Sequence, residues 1–158
     1  MNKTIGIFGG GQLGRMMAQA ALPLNLQCTF FEAETNCPAA ILGSVFSSKN
    51  EQGLQDFIAS ADVFSLEFEN TPVADVDVLT QTKTLHPPRL ALATAQNRLA
   101  EKALFDQLTI PVAPYRAVDS LESLKQAVAE LGLPIVLKTV TGGYDGKGQF
   151  VLRSEEQI

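Results

Sequence analysis

A chain of 158 residues with 46% apolar and 18% charged residues can bury a sizeable core, which excludes an intrinsically disordered protein. Its formal net charge of -5 comes from interspersed acidic and basic residues, with no Lys/Arg cluster and no aromatic-basic alternation, and so argues against nucleic acid as a partner. Two cysteines, Cys28 and Cys37, and a single histidine give neither a disulfide framework nor a zinc site of ordinary spacing. The first apolar stretch is interrupted at Gly9, too short for a signal-peptide core or a membrane span. The expectation is a soluble, cytoplasmic chain with no membrane partner.

Ile5, Ile7 and Phe8 form a short apolar strand that runs into Gly9, Gly10 and Gly11, after which Leu13, Met16, Met17 and Ala20 recur at helical spacing. Pro23 and Asn25 break this helix, and Cys28 to Phe31 make a second strand ending at Glu32. The unit then repeats. Val45 and Phe46 suggest a third strand, and Leu54, Phe57, Ile58 and Ala61 a helix face. Val63 to Leu66 make a fourth strand leading into Glu67-Phe68-Glu69-Asn70, and Thr84 to His86 a weak fifth. Such alternation predicts an α/β fold with a doubly wound parallel sheet, whose ligands sit at the carboxyl ends of the strands.

Pro87 and Pro88 punctuate the chain, a helix is predicted over Arg98 to Leu108, and a domain boundary is placed here, with domains at 1-97 and 98-158. Tyr115 to Val118 is read as a further strand and Leu121, Leu124, Ala127, Val128 and Leu131 as a helix face. Pro134 to Val140 is an apolar strand carrying Lys138, and Phe150 to Leu152 is the strand after it. Ser154 to Gln157 has the S-x-x-Q pattern of a capping box, the signature of a helix about to begin, and the expectation is that the polypeptide is truncated.

Three constellations carry chemistry. Gly9-Gly10-Gly11-Gln12-Leu13-Gly14 is a G-x-G-x-x-G between strand and helix, suited to presenting N-H groups to an anion. With Glu32 at the end of the second strand it also fits a dinucleotide site, while a purely structural reading makes the glycines a device for close helix-strand packing. Glu67 and Glu69 leave the fourth strand, and in extended backbone their i, i+2 spacing points both carboxylates one way, toward a ligand amine or ribose hydroxyls or simply toward solvent. Lys138 precedes Thr141-Gly142-Gly143-Tyr144-Asp145-Gly146-Lys147-Gly148-Gln149, a loop of four glycines between strands. It lacks the G-K-[ST] and following helix of a P-loop, and reads as a flexible hairpin whose N-H groups close over polyphosphate beside a fixed positive charge.

Gly11-Gln12-Leu13-Gly14-Arg15-Met16, Glu67-Phe68-Glu69-Asn70 and the loop from Thr141 to Gln149 occur in the order found in the 5-(carboxyamino)imidazole ribonucleotide synthases of the ATP-grasp superfamily, and the chain resembles the first part of that family. The resemblance implies a Rossmann-like pre-ATP-grasp domain followed by the first part of an ATP-grasp domain. It implies an ATP-dependent carbon-nitrogen ligase of purine biosynthesis. Such an enzyme joins bicarbonate to the amine of 5-aminoimidazole ribonucleotide through carboxyphosphate, with Mg2+ as cofactor, and the full-length enzyme is expected to be a homodimer.

Matched residue by residue, Arg98 and Lys138 hold ATP phosphates, and Gly143, Tyr144, Asp145, Gly146, Lys147, Gly148 and Gln149 form the covering loop. Gln12, Leu13 and Glu69 contact the ribonucleotide, and Tyr144 and Asp145 reach the aminoimidazole as catalytic residues, Asp145 positioning or deprotonating the amine. Lys147 departs from the Arg of many relatives, keeping the charge without the bidentate fork. The family's metal ligands match nothing in this sequence, and the 158-residue chain alone is expected to be inactive. Rival expectations are a formate-dependent glycinamide ribonucleotide transformylase-like enzyme, disfavoured by Gln12 where that family has Glu, a dinucleotide-binding module, and a non-catalytic regulatory domain.

Overall fold

The computed structural model describes residues 3-143 and 146-158, and the chain divides into two compact units, Met1–Ala93 and Thr94–Ile158. In the first, five parallel strands, β1 (Thr4–Phe8), β2 (Gln27–Glu32), β3 (Ser44–Ser47), β4 (Val63–Leu66) and β5 (Leu85–His86), stand in the order β3-β2-β1-β4-β5. The chain winds outward from β1 to β3, then crosses back to lay β4 on the other side of β1. This reversal puts the topological switch point between β1 and β4, the place where such sheets open a crevice at their carboxyl ends.

Strand alternation divides the apolar residues between the two faces. Ile7, Cys28 and Phe30 meet Ala18 and Ala21 of helix α1 (Gln12–Ala21) on one side. On the other, Phe8, Phe31, Phe64 and Leu85 meet α2 (Gly53–Ser60), α3 (Val73–Leu79) and α4 (Arg89–Ala95) through Phe57, Ile58, Val76, Leu79 and Leu92. Two covered faces are what an all-parallel sheet requires. Burial pushes the Cys28 thiol above its ordinary pKa, as expected of a small core residue rather than a reactive one.

Helix α1 differs from its sequence reading in the face it buries. The buried positions are Gly14, Ala18 and Ala21, while Leu13 and Met16 are 53% and 54% exposed. Apolar periodicity pointed to the larger residues; close approach of helix to sheet selected the small ones. Helices α3 and α4 carry no clear apolar period, because their short apolar patterns are broken by Asp75, Asp77 and the flanking prolines.

The start of β1 is tied to the start of β4 by Asp62, whose carboxylate accepts from the Thr4 N-H at 2.9 Å, and this bond, with Lys3 nearby, holds its pKa below the ordinary value. A lowered folded-state pKa stabilises above the unfolded value of about 3.9, and the contribution disappears as pH falls through the folded one. Asp62→Asn is therefore expected to flatten the acid limb of the stability curve below about pH 5, read by urea melts across pH. The effect is small because the carboxylate is solvent-exposed.

The second unit holds α5 (Arg98–Gln107), α6 (Leu121–Leu131) and an antiparallel hairpin of β6 (Ile135–Lys138) and β7 (Gln149–Leu152). Its small core joins Leu124 and Val128 of α6 to Leu152, with Ile135 and Leu137 against them. Ser120 caps α6 by accepting from the Ser123 N-H, and Gly132 ends it with φ 75°. Residues Tyr115 to Val118 form no strand, contrary to expectation; no neighbouring strand pairs with them among the described residues. Strand β6 is shorter than the apolar run suggested, since Thr139 and Val140 already belong to the loop. The S-x-x-Q box at Ser154 forms as read, around a single turn of 3-10 helix (Glu155–Gln157).

Candidate functional site

The glycine-rich loop lies at the switch point. Gly9 N-H donates to Phe31 O and Glu67 N-H donates to Phe8 O, both at 2.9 Å, so the exits of β1, β2 and β4 are laced together. The loop's next two donors also have partners. Gly10 N-H donates to Glu32 Oε2 at 3.0 Å and Gly11 N-H to Glu67 Oε2 at 2.8 Å, while the other Glu32 oxygen accepts from Ala33 N-H at 2.8 Å.

The glycines make this possible by absence of side chain. A Cβ at Gly9 or Gly11 lies 2.5 Å from a Glu67 oxygen, and one at Gly14 lies 2.9 Å from Glu67 Oε2 and 2.8 Å from the Gly9 carbonyl. A Cβ at Gly10 lies 2.5 Å from Cys37 Sγ. Both the anion-seat and the close-packing readings of the loop are thus realised at once, with the protein's own carboxylate as the anion. A carboxylate at the first turn of a helix stabilises it by about 0.3–1 kcal/mol at the surface, and more when partly buried.

Strand β4 ends at Leu66, and residues 67-70 follow in a bend and turn, so the extended i, i+2 argument does not apply to Glu67 and Glu69. Glu67 turns inward to Gly11, whereas Glu69 is exposed in a turn closed by Thr71 Oγ1 donating to Phe68 O at 3.2 Å. Thr71 is 3% exposed and anchors that turn. Gln12 and Leu13 are exposed at the start of α1. The unit therefore presents an amide and an isobutyl group beside a loop whose Gly9, Gly10 and Gly11 N-H groups are all engaged.

In the second unit the loop between β6 and β7 bends through Gly142, Gly143, Gly146 and Gly148, all with φ between 66° and 81°, a region open to glycine at little cost. This accounts for the four glycines that a plain turn does not need. Lys138 is exposed at the end of β6, paired in register with Gln149, and lies on the outward face with Val136 while Ile135 and Leu137 turn to the core.

Arg98 belongs to this loop through contacts that the sequence did not reveal. Its backbone N-H donates to Val140 O at 2.9 Å and its guanidinium to Gly143 O at 3.2 Å. Asn97 Oδ1 caps α5 by accepting from the Leu99 and Ala100 N-H groups, both at 3.0 Å, which fixes the helix start from which Arg98 reaches. Gly146, Lys147, Gly148 and Gln149 complete the exposed side of the loop. Tyr144 and Asp145 lie outside the described residues. Two hollows along this unit, one between Asp106 and residues 112-117 and one between α6 and Ile158, are lined by described residues outside the loop.

Sequence reasoning missed the inward use of Glu32 and Glu67. The one signal available was the excess of glycine at 9, 10, 11 and 14, more than a turn alone requires.

Comparison with known proteins bears on both units. Residues 1-96 match the family model of the ribonucleotide synthetase preATP-grasp domain and residues 103-158 that of the ATP-grasp domain. The N5-carboxyaminoimidazole ribonucleotide synthase of Brucella melitensis biotype 1 is 41% identical over 157 residues, covering 98% of this chain and 43% of the relative. A crystal structure of an N5-carboxyaminoimidazole ribonucleotide synthetase in complex with ADP superposes with a TM-score of 0.90 at 42% identity, covering 98% of this chain and 42% of that one. The Aspergillus clavatus synthase, in complex with ADP and 5-aminoimidazole ribonucleotide, superposes with a TM-score of 0.86 at 26% identity, covering 99% and 42%. The chain thus spans about two fifths of the length of these relatives. With a parallel sheet wound about a glycine loop and a family model that covers residues 1-96, the chain belongs to the ribonucleotide synthetase preATP-grasp family and continues into an ATP-grasp segment.

Proposed function

We propose that the chain forms the ribonucleotide-facing domain and the beginning of the ATP-facing domain of an ATP-dependent ligase, with the functional boundary between Asn97 and Arg98. The reaction joins bicarbonate to the amine of 5-aminoimidazole ribonucleotide, giving 5-(carboxyamino)imidazole ribonucleotide, ADP and phosphate in purine biosynthesis. The observation that carries this reading is the glycine hairpin with Arg98 bonded to Gly143 and Lys138 on the adjoining strand, two cationic side chains at one loop and suited to polyphosphate. Relatives named as this synthase, one of them solved with ADP and 5-aminoimidazole ribonucleotide, support the substrate assignment.

In this reading Arg98, Lys138 and residues 143-149 hold the ATP phosphates while a bicarbonate oxygen attacks the γ-phosphorus and ADP leaves. The resulting carboxyphosphate is attacked at carbon by the substrate amine, phosphate departs, and Asp145 receives the amine proton, Tyr144 being the second residue assigned to the aminoimidazole. Gln12, Leu13 and Glu69 hold the ribonucleotide, the exposed isobutyl group of Leu13 suiting an apolar ring edge and Gln12 and Glu69 its polar groups. Magnesium belongs to the reading through the family. Among the described residues no cluster of three His, Cys, Asp or Glu side chains is placed to hold it, and no step here is routed through a metal ion. A cytoplasmic homodimer is the proposed state of the whole enzyme; no described helix is long and apolar enough to cross a membrane.

The rival dinucleotide reading needs loop donors that Glu32 and Glu67 already occupy. Calorimetric titration of the chain with 5-aminoimidazole ribonucleotide, ATP and NAD separates the two. Binding of the ribonucleotide and of ATP is expected, without NAD binding and without bicarbonate-dependent ATP hydrolysis. Binding of NAD alone sinks the proposal.

A further inference from the structure

The loop from Gly9 to Gly14 has the sequence of a phosphate cradle and the hydrogen bonding of one already filled. Gly10 and Gly11 present their N-H groups at the start of a ten-residue helix, where an anion gains most from the helix dipole. Their acceptors are carboxylates of this chain, Glu32 from the end of β2 and Glu67 from the exit of β4. The fit around Glu67 is close on three sides, since a Cβ at Gly9, Gly11 or Gly14 lies 2.5–2.9 Å from one of its oxygens. In a loop that takes a ligand phosphate, the space before the N-H groups is left for the ligand. Here a side chain fills it.

We propose that Glu67 is a positioning and specificity residue: its carboxylate occupies the anion seat at the start of α1, fixing the loop that presents Gln12 and Leu13 and barring the phosphates of nucleotides and dinucleotides from it. Two effects follow from one group. The charge repels an incoming anion, and the bond to Gly11 N-H holds the N-cap of α1, directly before Gln12 and Leu13. A ribonucleotide bound here turns a part other than its phosphate to this loop. The seat itself is independent of the function proposed above; the role of Gln12 and Leu13 rests on that reading.

The test uses the whole chain and its Glu67→Ala and Glu67→Gln variants, with the Gly10 and Gly11 amide resonances followed by heteronuclear NMR during titration with inorganic pyrophosphate. Wild type is expected to show no saturable shift. Glu67→Ala, with the seat vacated, gains pyrophosphate binding about tenfold or more tighter, and Glu67→Gln, which keeps volume and acceptor but loses the charge, falls between. Wild-type binding of pyrophosphate at these amides overturns the proposal, as does a folded Glu67→Ala that responds no more than wild type. Should Glu67→Ala fail to fold, a Glu67→Gln protein as unresponsive as wild type overturns it.

Titration of the same samples with 5-aminoimidazole ribonucleotide reads the positioning role. About tenfold weaker binding by Glu67→Ala, with Glu67→Gln within about threefold of wild type, supports it; unchanged binding by a folded Glu67→Ala overturns it. Absence of ribonucleotide binding by wild type removes the reading of Gln12 and Leu13 and leaves the pyrophosphate result to decide the seat.

Discussion

Phe57→Ala is expected to cost the first unit about 3–5 kcal/mol of unfolding free energy, the largest effect of any substitution considered. The ring is 0% exposed on α2 and touches one aromatic residue from each of four strands. Its centroid lies 5.1 Å from Phe8 of β1, 5.4 Å from Phe31 of β2, 6.2 Å from Phe46 of β3 and 5.1 Å from Phe64 of β4. The Phe8 and Phe64 contacts are edge-on and the Phe31 contact stacked, arrangements worth more than their buried area alone. Gly6 leaves the space: a Cβ there meets the ring of Phe64 and lies 3.1 Å from Phe57 Cζ.

Removal of the ring opens a cavity between helix and sheet that rigid strands cannot collapse into. Against a domain stability of about 5–15 kcal/mol the loss leaves little margin. Denaturant titration followed by far-UV circular dichroism measures it. A loss below about 1.5 kcal/mol means that the sheet and α2 repack around the gap, and that the four-strand contact is not the keystone of this face.

Lys138→Ala is expected to weaken ATP binding by about 10- to 150-fold, the equivalent of about 1.5–3 kcal/mol for a hydrogen bond to a charged group. Lys138 stands at the last position of β6, outward, where the hairpin begins. Its strand position fixes the backbone from which the side chain projects, through the pairing with Gln149. Arg98→Ala is expected to act in the same direction and to loosen the loop as well, because the guanidinium holds the Gly143 carbonyl. Lys125→Ala, on the exposed face of α6, serves as the control for a general loss of positive charge. Calorimetry with ATP distinguishes the cases: equal losses from Lys138→Ala and Lys125→Ala reduce the effect to net charge and remove the specific role.

What the sequence by itself determined were features whose causes are local. Alternating and helical apolar periods placed β1 to β5 and α1, α2, α5 and α6 within a few residues of their observed bounds. The four glycines after Lys138 marked the hairpin because each adopts a backbone angle that other residues avoid. The same locality misled at Tyr115 to Val118, where β-favouring residues find no partner strand, and at α1, where apolar size suggested a buried Leu13 and Met16 that the structure exposes.

Only the tertiary structure decided the strand order, and with it the meeting of β1 and β4 exits that turns Glu67 onto Gly11, 56 residues earlier in the chain. It likewise brought Glu32 to Gly10 across 22 residues and Arg98 to Gly143 across 45. A carboxylate's or guanidinium's choice of partner depends on which backbone groups packing leaves within about 3 Å, and no periodicity or propensity encodes that. The glycine loop was therefore legible as a seat for an anion, while the anion that fills it, a side chain of the same chain, became visible only once the sheet was wound.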